Sequence, residues 1–109
     1  MPKDIISEAK LDTPPGYIAD PQWYAEYEKL DIEPPKLVID LKALTTESAD
    51  DLFERVATFL IEHGLDKEHA RTMAERLIER RYTLHPSSLG VVVQPAGAGH
   101  WQIVAERGQ

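Results

Sequence analysis

The residues able to do chemistry are few. His85, Ser87 and Ser88 stand close together, a base beside two hydroxyls, as in a fragment of a nucleophile–base pair. Catalysis by such a pair also needs a third group to orient the imidazole and donors to hold an oxyanion. His63 and His69 flank a turn with Glu62, Asp66 and Glu68 nearby, the residue types of a mixed nitrogen and oxygen metal site. No HExxH motif and no i, i+4 histidine pair on one helix face accompanies them. A histidine at position 63 is explained by the negative end of a helix dipole, and His69 reads as a solvated first-turn residue. Ala96-Gly97-Ala98-Gly99 has glycines but joins strand to strand, so no helix N-terminus faces a phosphate there. A phosphate-loop motif, a dinucleotide fingerprint and paired carboxylates in apolar surroundings are all missing. The expectation is a protein without catalytic residues, cofactor or metal, and so not an enzyme.

The elements that would position these residues centre on Asp50–Tyr82. Leu52, Val56, Phe59 and Leu60 recur at helical spacing, and so do Ala70, Met73, Ala74, Leu77 and Ile78. Gly64 stands where a helix ends on a left-handed residue, and Asp66 where the next helix needs a side-chain cap. The spacing predicts helices over 49–63 and 67–82, with Ser48 near the start of the first. Upstream, Asp20-Pro21 opens a helix over 21–30, and Lys36–Leu41 reads as a strand. Ile5, Ile6, Ala9 and Leu11 suggest a short helical turn, ended by Thr13-Pro14-Pro15-Gly16. Downstream, 89–93 and 101–105 read as a hairpin with a flexible connection at 94–99, and Gly90 is the weak point of its first strand. His85 then lies at the open end of that hairpin and His100 at its loop end, roughly 26 Å apart.

The resulting fold class is α+β. An N-terminal arm and short helix precede a strand–helix–helix–strand–strand domain, with a small three-stranded antiparallel sheet packed on the helix pair. The arm is expected to span 1–19, extended or flexible, the domain 20–106 and a tail 107–109.

A chain of 109 residues favours one domain. That size buries about 65% of its unfolded surface, enough for a core without staples. Cysteine is absent, which excludes disulfides and thiolate ligands and fits the cytoplasm. Neither a signal peptide nor an apolar run of membrane-spanning length is read, so a soluble protein with no membrane partner is expected. The formal charge is −7 and uneven. Residues 1–35 carry three basic against eight acidic groups, whereas 67–81 carry five basic against three acidic. Global acidity argues against non-specific nucleic-acid binding but leaves one basic face.

The order helix, strand, helix, helix, strand, strand over Pro21–Ala105 is similar to the winged-helix family of DNA-binding domains. Phe59, Gly64, Leu65, Ala70 and Met73 carry the resemblance around the turn, whereas Leu60 and His63 depart from its pattern. The resemblance implies a DNA-binding transcriptional regulator, with Arg71, Arg76, Arg80, Arg81 and His100 touching DNA. The alternative account of the arginines is local: Arg76, Arg80 and Arg81 complement a helix C-terminus, and Arg71–Glu75 and Arg76–Glu79 are spaced to pair.

The leading functional expectation is different. Tyr17, Ile18, Trp23, Tyr24 and Tyr27 combine aromatic anchors with an acidic, proline-rich arm. That points to a non-enzymatic accessory subunit, regulator or inhibitor docking on a larger protein partner or on a second copy as a homodimer. Removing 1–19 is then expected to weaken partner binding and spare the fold.

Overall fold

The computed structural model describes residues 3–10, 29–97 and 100–107. The elements are β1 (Lys3–Lys10), β2 (Leu37–Asp40), α1 (Leu41–Thr46), α2 (Ala49–Glu62), α3 (Lys67–Arg80), β3 (Ser88–Gly97) and β4 (His100–Arg107), with a 3-10 turn at Arg81–Thr83. The class is α+β, as the sequence predicts. The sheet is antiparallel and has four strands rather than three, in the order β1-β4-β3-β2. The helices lie on one face of it. Leu52, Val56 and Leu60 of α2 and Ala70, Met73, Ala74 and Leu77 of α3 share one core with Ile39, Val91, Val93, Trp101 and Ile103 of the sheet.

The junction between α2 and α3 follows from three residues. Gly64 has φ 101°. This lets Leu65 N–H donate to Leu60 O at 2.9 Å and Gly64 N–H donate to Ile61 O at 3.1 Å. Leu65 is then carried into the core, 3% exposed. Asp66 starts α3 by accepting from Glu68 N at 3.1 Å and His69 N at 3.4 Å. Ser48 caps α2 in the same way, through Asp51 N at 3.1 Å. Gly64→Ala forces a Cβ into the left-handed region and is expected to cost about 1–2 kcal/mol. A urea titration checks this, and wild-type stability would show that the turn tolerates a side chain.

Several boundaries move. Residues 3–10, read as part of an arm with a helical turn at Ile5–Leu11, form β1 and pair with β4 from Lys3↔Glu106 to Lys10↔His100. A bulge between Ile5 and Ser7 breaks the alternation of that strand. Ile5 is left 57% exposed, whereas Ile6 packs against the core. The strand read to Leu41 ends at Asp40, whose side chain accepts from Ala43 N at 2.7 Å and starts α1, a helix the sequence reading missed. Thr45 and Thr46 both donate to Lys42 O, so their hydroxyls are taken up locally. The region 94–97, read as a flexible connection, continues β3, and Arg107 of the expected tail belongs to β4. Of the helix read at 21–30, residues 29–30 are helical and Asp31 follows with φ 56°. The remainder lies outside the described residues.

Candidate functional site

Two surfaces stand out, one at each side of the sheet's open end. The first is built by the contact of β2 with β3. β3 is bulged between Ser88 and Gly90, which turns Leu89 outward, 66% exposed. Gly90 is buried against β2: a Cβ there would lie 2.4 Å from Ile39 O and 2.9 Å from Asp40 Cα. That close approach places Val38, 60% exposed, beside Leu89 in a shallow groove over Val92, with Asp40 and Glu106 at its rim. β2 is an edge strand, and Leu30 and Ile32, also exposed, lie on the segment leading into it. Four of the seven large exposed apolar side chains among the described residues therefore fall on β2, its approach or the adjoining bulge. They are gathered along one edge of the sheet rather than scattered over the described surface.

The second is a cleft of about 220 Å³ between the end of α3, the His85 turn and the ends of β3 and β4. Arg80, His85, Ser88 and Arg107 line it, with Ile6 and Leu84 as apolar wall. A neighbouring hollow of about 250 Å³ shares Ile6 and Arg80 and adds Arg76 and Glu79. Ser88 is 4% exposed, and its hydroxyl has no hydrogen-bond partner among the described residues. Leaving a buried hydroxyl unsatisfied costs about 1–3 kcal/mol. His85 Nδ1 accepts from Ser87 N at 3.1 Å and lies 2.7 Å from Ser87 Oγ. With Nδ1 taken as an acceptor, the proton of the neutral ring sits on Nε2. The His85–Ser87 contact is thus part of a turn, closed by Ser88 N donating to His85 O at 2.8 Å.

The other candidate residues separate. Tyr17, Ile18, Trp23, Tyr24 and Tyr27 lie outside the described residues. The five residues of the DNA-binding reading do not form one surface. Arg71 lies over the Phe53 ring at 5.9 Å. Arg81 donates to Glu47 O at 3.1 Å and stacks on Tyr82 at 4.6 Å. His100 opens β4, at the end opposite Arg107. Arg76 and Arg80 alone come together. The Arg71–Glu75 and Arg76–Glu79 pairs expected along α3 are not formed. His63 donates from Nδ1 to Phe59 O at 2.9 Å and packs near Trp101. His69 contacts Asp66 at 3.5 Å.

Among the described residues, no group of three or more His, Asp or Glu is placed to hold a metal ion. No helix among them is long and apolar enough to cross a membrane. Sequence reasoning missed Val38 and Leu89 because apolar residues in a strand read as core. It singled out Ser88 only as a nucleophile or turn residue.

Fold and site together define an α+β domain with an apolar, acid-rimmed groove at one sheet edge and a basic cleft below the other. No protein-family model, curated protein or solved structure matches the chain.

Proposed function

We propose that the protein is a non-enzymatic interaction module that docks a protein partner at the groove of β2 and β3. The observation that carries this is the exposure of Val38 on the edge strand β2 and of Leu89 on the adjoining β3, both lining one groove. An unpaired edge accepts an extended segment through backbone hydrogen bonds, and pockets for alternate side chains select its sequence. Asp40 and Glu106 at the rim and the net charge of −7 fix the partner's chemistry. The occupant is an extended segment in which apolar residues alternate with lysine or arginine. It lays apolar side chains over Val38 and Leu89 and its cations against the two carboxylates. Electrostatic complementarity of this kind speeds and orients docking.

A valine–lysine alternating hexapeptide is the probe. It is expected to shift the amide resonances of 37–40 and 89–90 in a saturable way, more weakly at high salt. The valine–glutamate counterpart is expected to leave them in place. Val38→Lys, an exposed position, should keep the fold and remove the response. If neither peptide moves these resonances, the groove is not the docking site. Truncation at residue 19 is a poor substitute for this test, because it also removes β1 and unpairs β4.

A second reading, a winged-helix DNA-binding regulator, draws support from Arg76 and Arg80 sharing one hollow on α3. It predicts duplex affinity that falls steeply with salt and is abolished by replacing Arg76, Arg80 and Arg81 with alanine.

A further inference from the structure

β2 is an edge of the sheet, and the stretch of it that can pair is bounded at both ends. Pro35 has no N–H to give a partner strand, so pairing starts at Lys36. Asp40 is the last extended residue, because its side chain caps α1. Residues 36–40 remain, and Val38 is their midpoint. We propose that the segment docked at this edge is β2 of a second copy, paired antiparallel about a two-fold axis at Val38. This rests on the reading of the β2–β3 groove as a docking surface and names its occupant.

Antiparallel pairing about Val38 sets Val38 opposite Val38, Leu37 opposite Ile39 and Lys36 opposite Asp40. Lys36, Val38 and Asp40 are all exposed, so one side of the strand reads cation, apolar group, anion. A two-fold axis turns that order end for end. Each ammonium then meets a carboxylate, and the exposed valines meet each other. Sliding the register by two residues sets Val38 against Lys36 or Asp40 and removes both ion pairs. Lys36 is available for this: its pair with Glu33 at 3.0 Å is a surface pair, with side chains 44% and 66% exposed, and such pairs hold weakly. Asp40 Oδ1 accepts from Ala43 N at 2.7 Å, which fixes the carboxylate, and Oδ2 accepts no hydrogen bond among the described residues. Gly90 pairs with Asp40, so Leu89 lies just beyond that end of β2. The second copy's approach to β2, with its exposed Leu30 and Ile32, must pass there. The opposite edge of the sheet does not offer this match. β1 is bulged between Ile5 and Ser7, which breaks its row of free N–H and C=O groups. Pairing of β2 with β1 of another copy would also propagate without closing, whereas β2 on β2 closes at two.

The test is sedimentation equilibrium of the full chain from about 10 μM to about 1 mM. A monomer–dimer equilibrium is expected with Kd on the order of 0.1 mM, weak because the paired segment is short. In a mixture of labelled and unlabelled chains, isotope-filtered NOEs should connect the Val38 methyl groups of the two copies. Val38→Lys sets two ammonium groups face to face at the axis and should leave monomer only. Lys36→Glu sets a like charge against Asp40 twice in each dimer and should weaken association about tenfold or more. Lys67→Glu makes the same change in net charge on α3, away from β2, and should weaken it far less. Added salt should strengthen the dimer, because copies of charge −7 repel at long range, whereas it weakens the cationic hexapeptide. The hexapeptide should compete and return the protein to monomer. The proposal is overturned if the chain stays monomeric at about 1 mM at low and high salt, a concentration well above the expected Kd. It is also overturned if Val38→Lys and Lys36→Glu dimerise like wild type, or if assembly grows beyond the dimer. In each of those cases the hexapeptide response at 37–40 still decides separately whether the groove docks a segment of another protein.

Discussion

Trp101→Ala is expected to lower stability by about 3–5 kcal/mol, the range for removing a fully buried large aromatic side chain. Trp101 is completely buried on the sheet face that meets the helices, near the β3–β4 connection. Its ring meets Phe59 edge-on at 5.8 Å, and Phe59 in turn lies 4.4 Å from His63. The indole therefore ties β4 to the last turn of α2, and its loss opens a cavity that neither backbone can close. A domain of this size is held by about 5–15 kcal/mol in total, so the variant should be partly unfolded near 37 °C. Urea titration should show a large fall in midpoint with little change in slope. Trp101→Phe keeps an aromatic edge in place and should lose much less. If alanine cost under about 1 kcal/mol, Trp101 would not be the core residue described.

The second large effect is expected at Gly90. A Cβ at this position would meet two backbone atoms of β2, and backbone cannot yield as the end of a flexible side chain can. Gly90→Ala must push β2 away from β3, at about 1–3 kcal/mol for overpacking of this kind. The displacement reaches further than the strand. Asp40 is both the rim of the groove and the cap of α1, so the variant should loosen α1 and lose the hexapeptide response together. Hydrogen exchange read at 37–46 separates this from global destabilisation. Unchanged protection in that region would mean that the strands are not so close.

How far the fold was legible in the sequence depended on whether each signal was local. The helix pair was readable because caps, the turn glycine and the helical spacing of Leu52, Val56, Met73 and Leu77 all lie within a few residues of one another. Gly90 was misread as a weak point because its reason is the backbone of a strand 50 positions earlier. β1 was missed for a related reason. Its bulge puts two adjacent isoleucines out of alternation, one exposed and one packed, so no period of two appears. α1 was missed because Thr45 and Thr46 argue against a helix by propensity, and the capping role of Asp40 was not recognised. The candidate surfaces were harder still. Nothing local tells an exposed Val38 from a buried Ile39. An unanswered hydroxyl at Ser88 is a statement about everything around it.

The strand order has a consequence for the making of the chain. Within the sheet β1 is synthesised before the other strands, and β4, its partner, after them. At about 5–20 residues per second, β1 waits on the order of 5–20 s before the strand that completes the sheet exists. During that time Ile5 and Ile6 belong to a strand with a bare edge, the kind of segment that pairs with strangers. The sequence around them, Lys3-Asp4 before and Glu8 and Lys10 after, is what such an interval calls for: charges on both sides of a short apolar pair. Those charges contribute most to the protein's fate before it is folded.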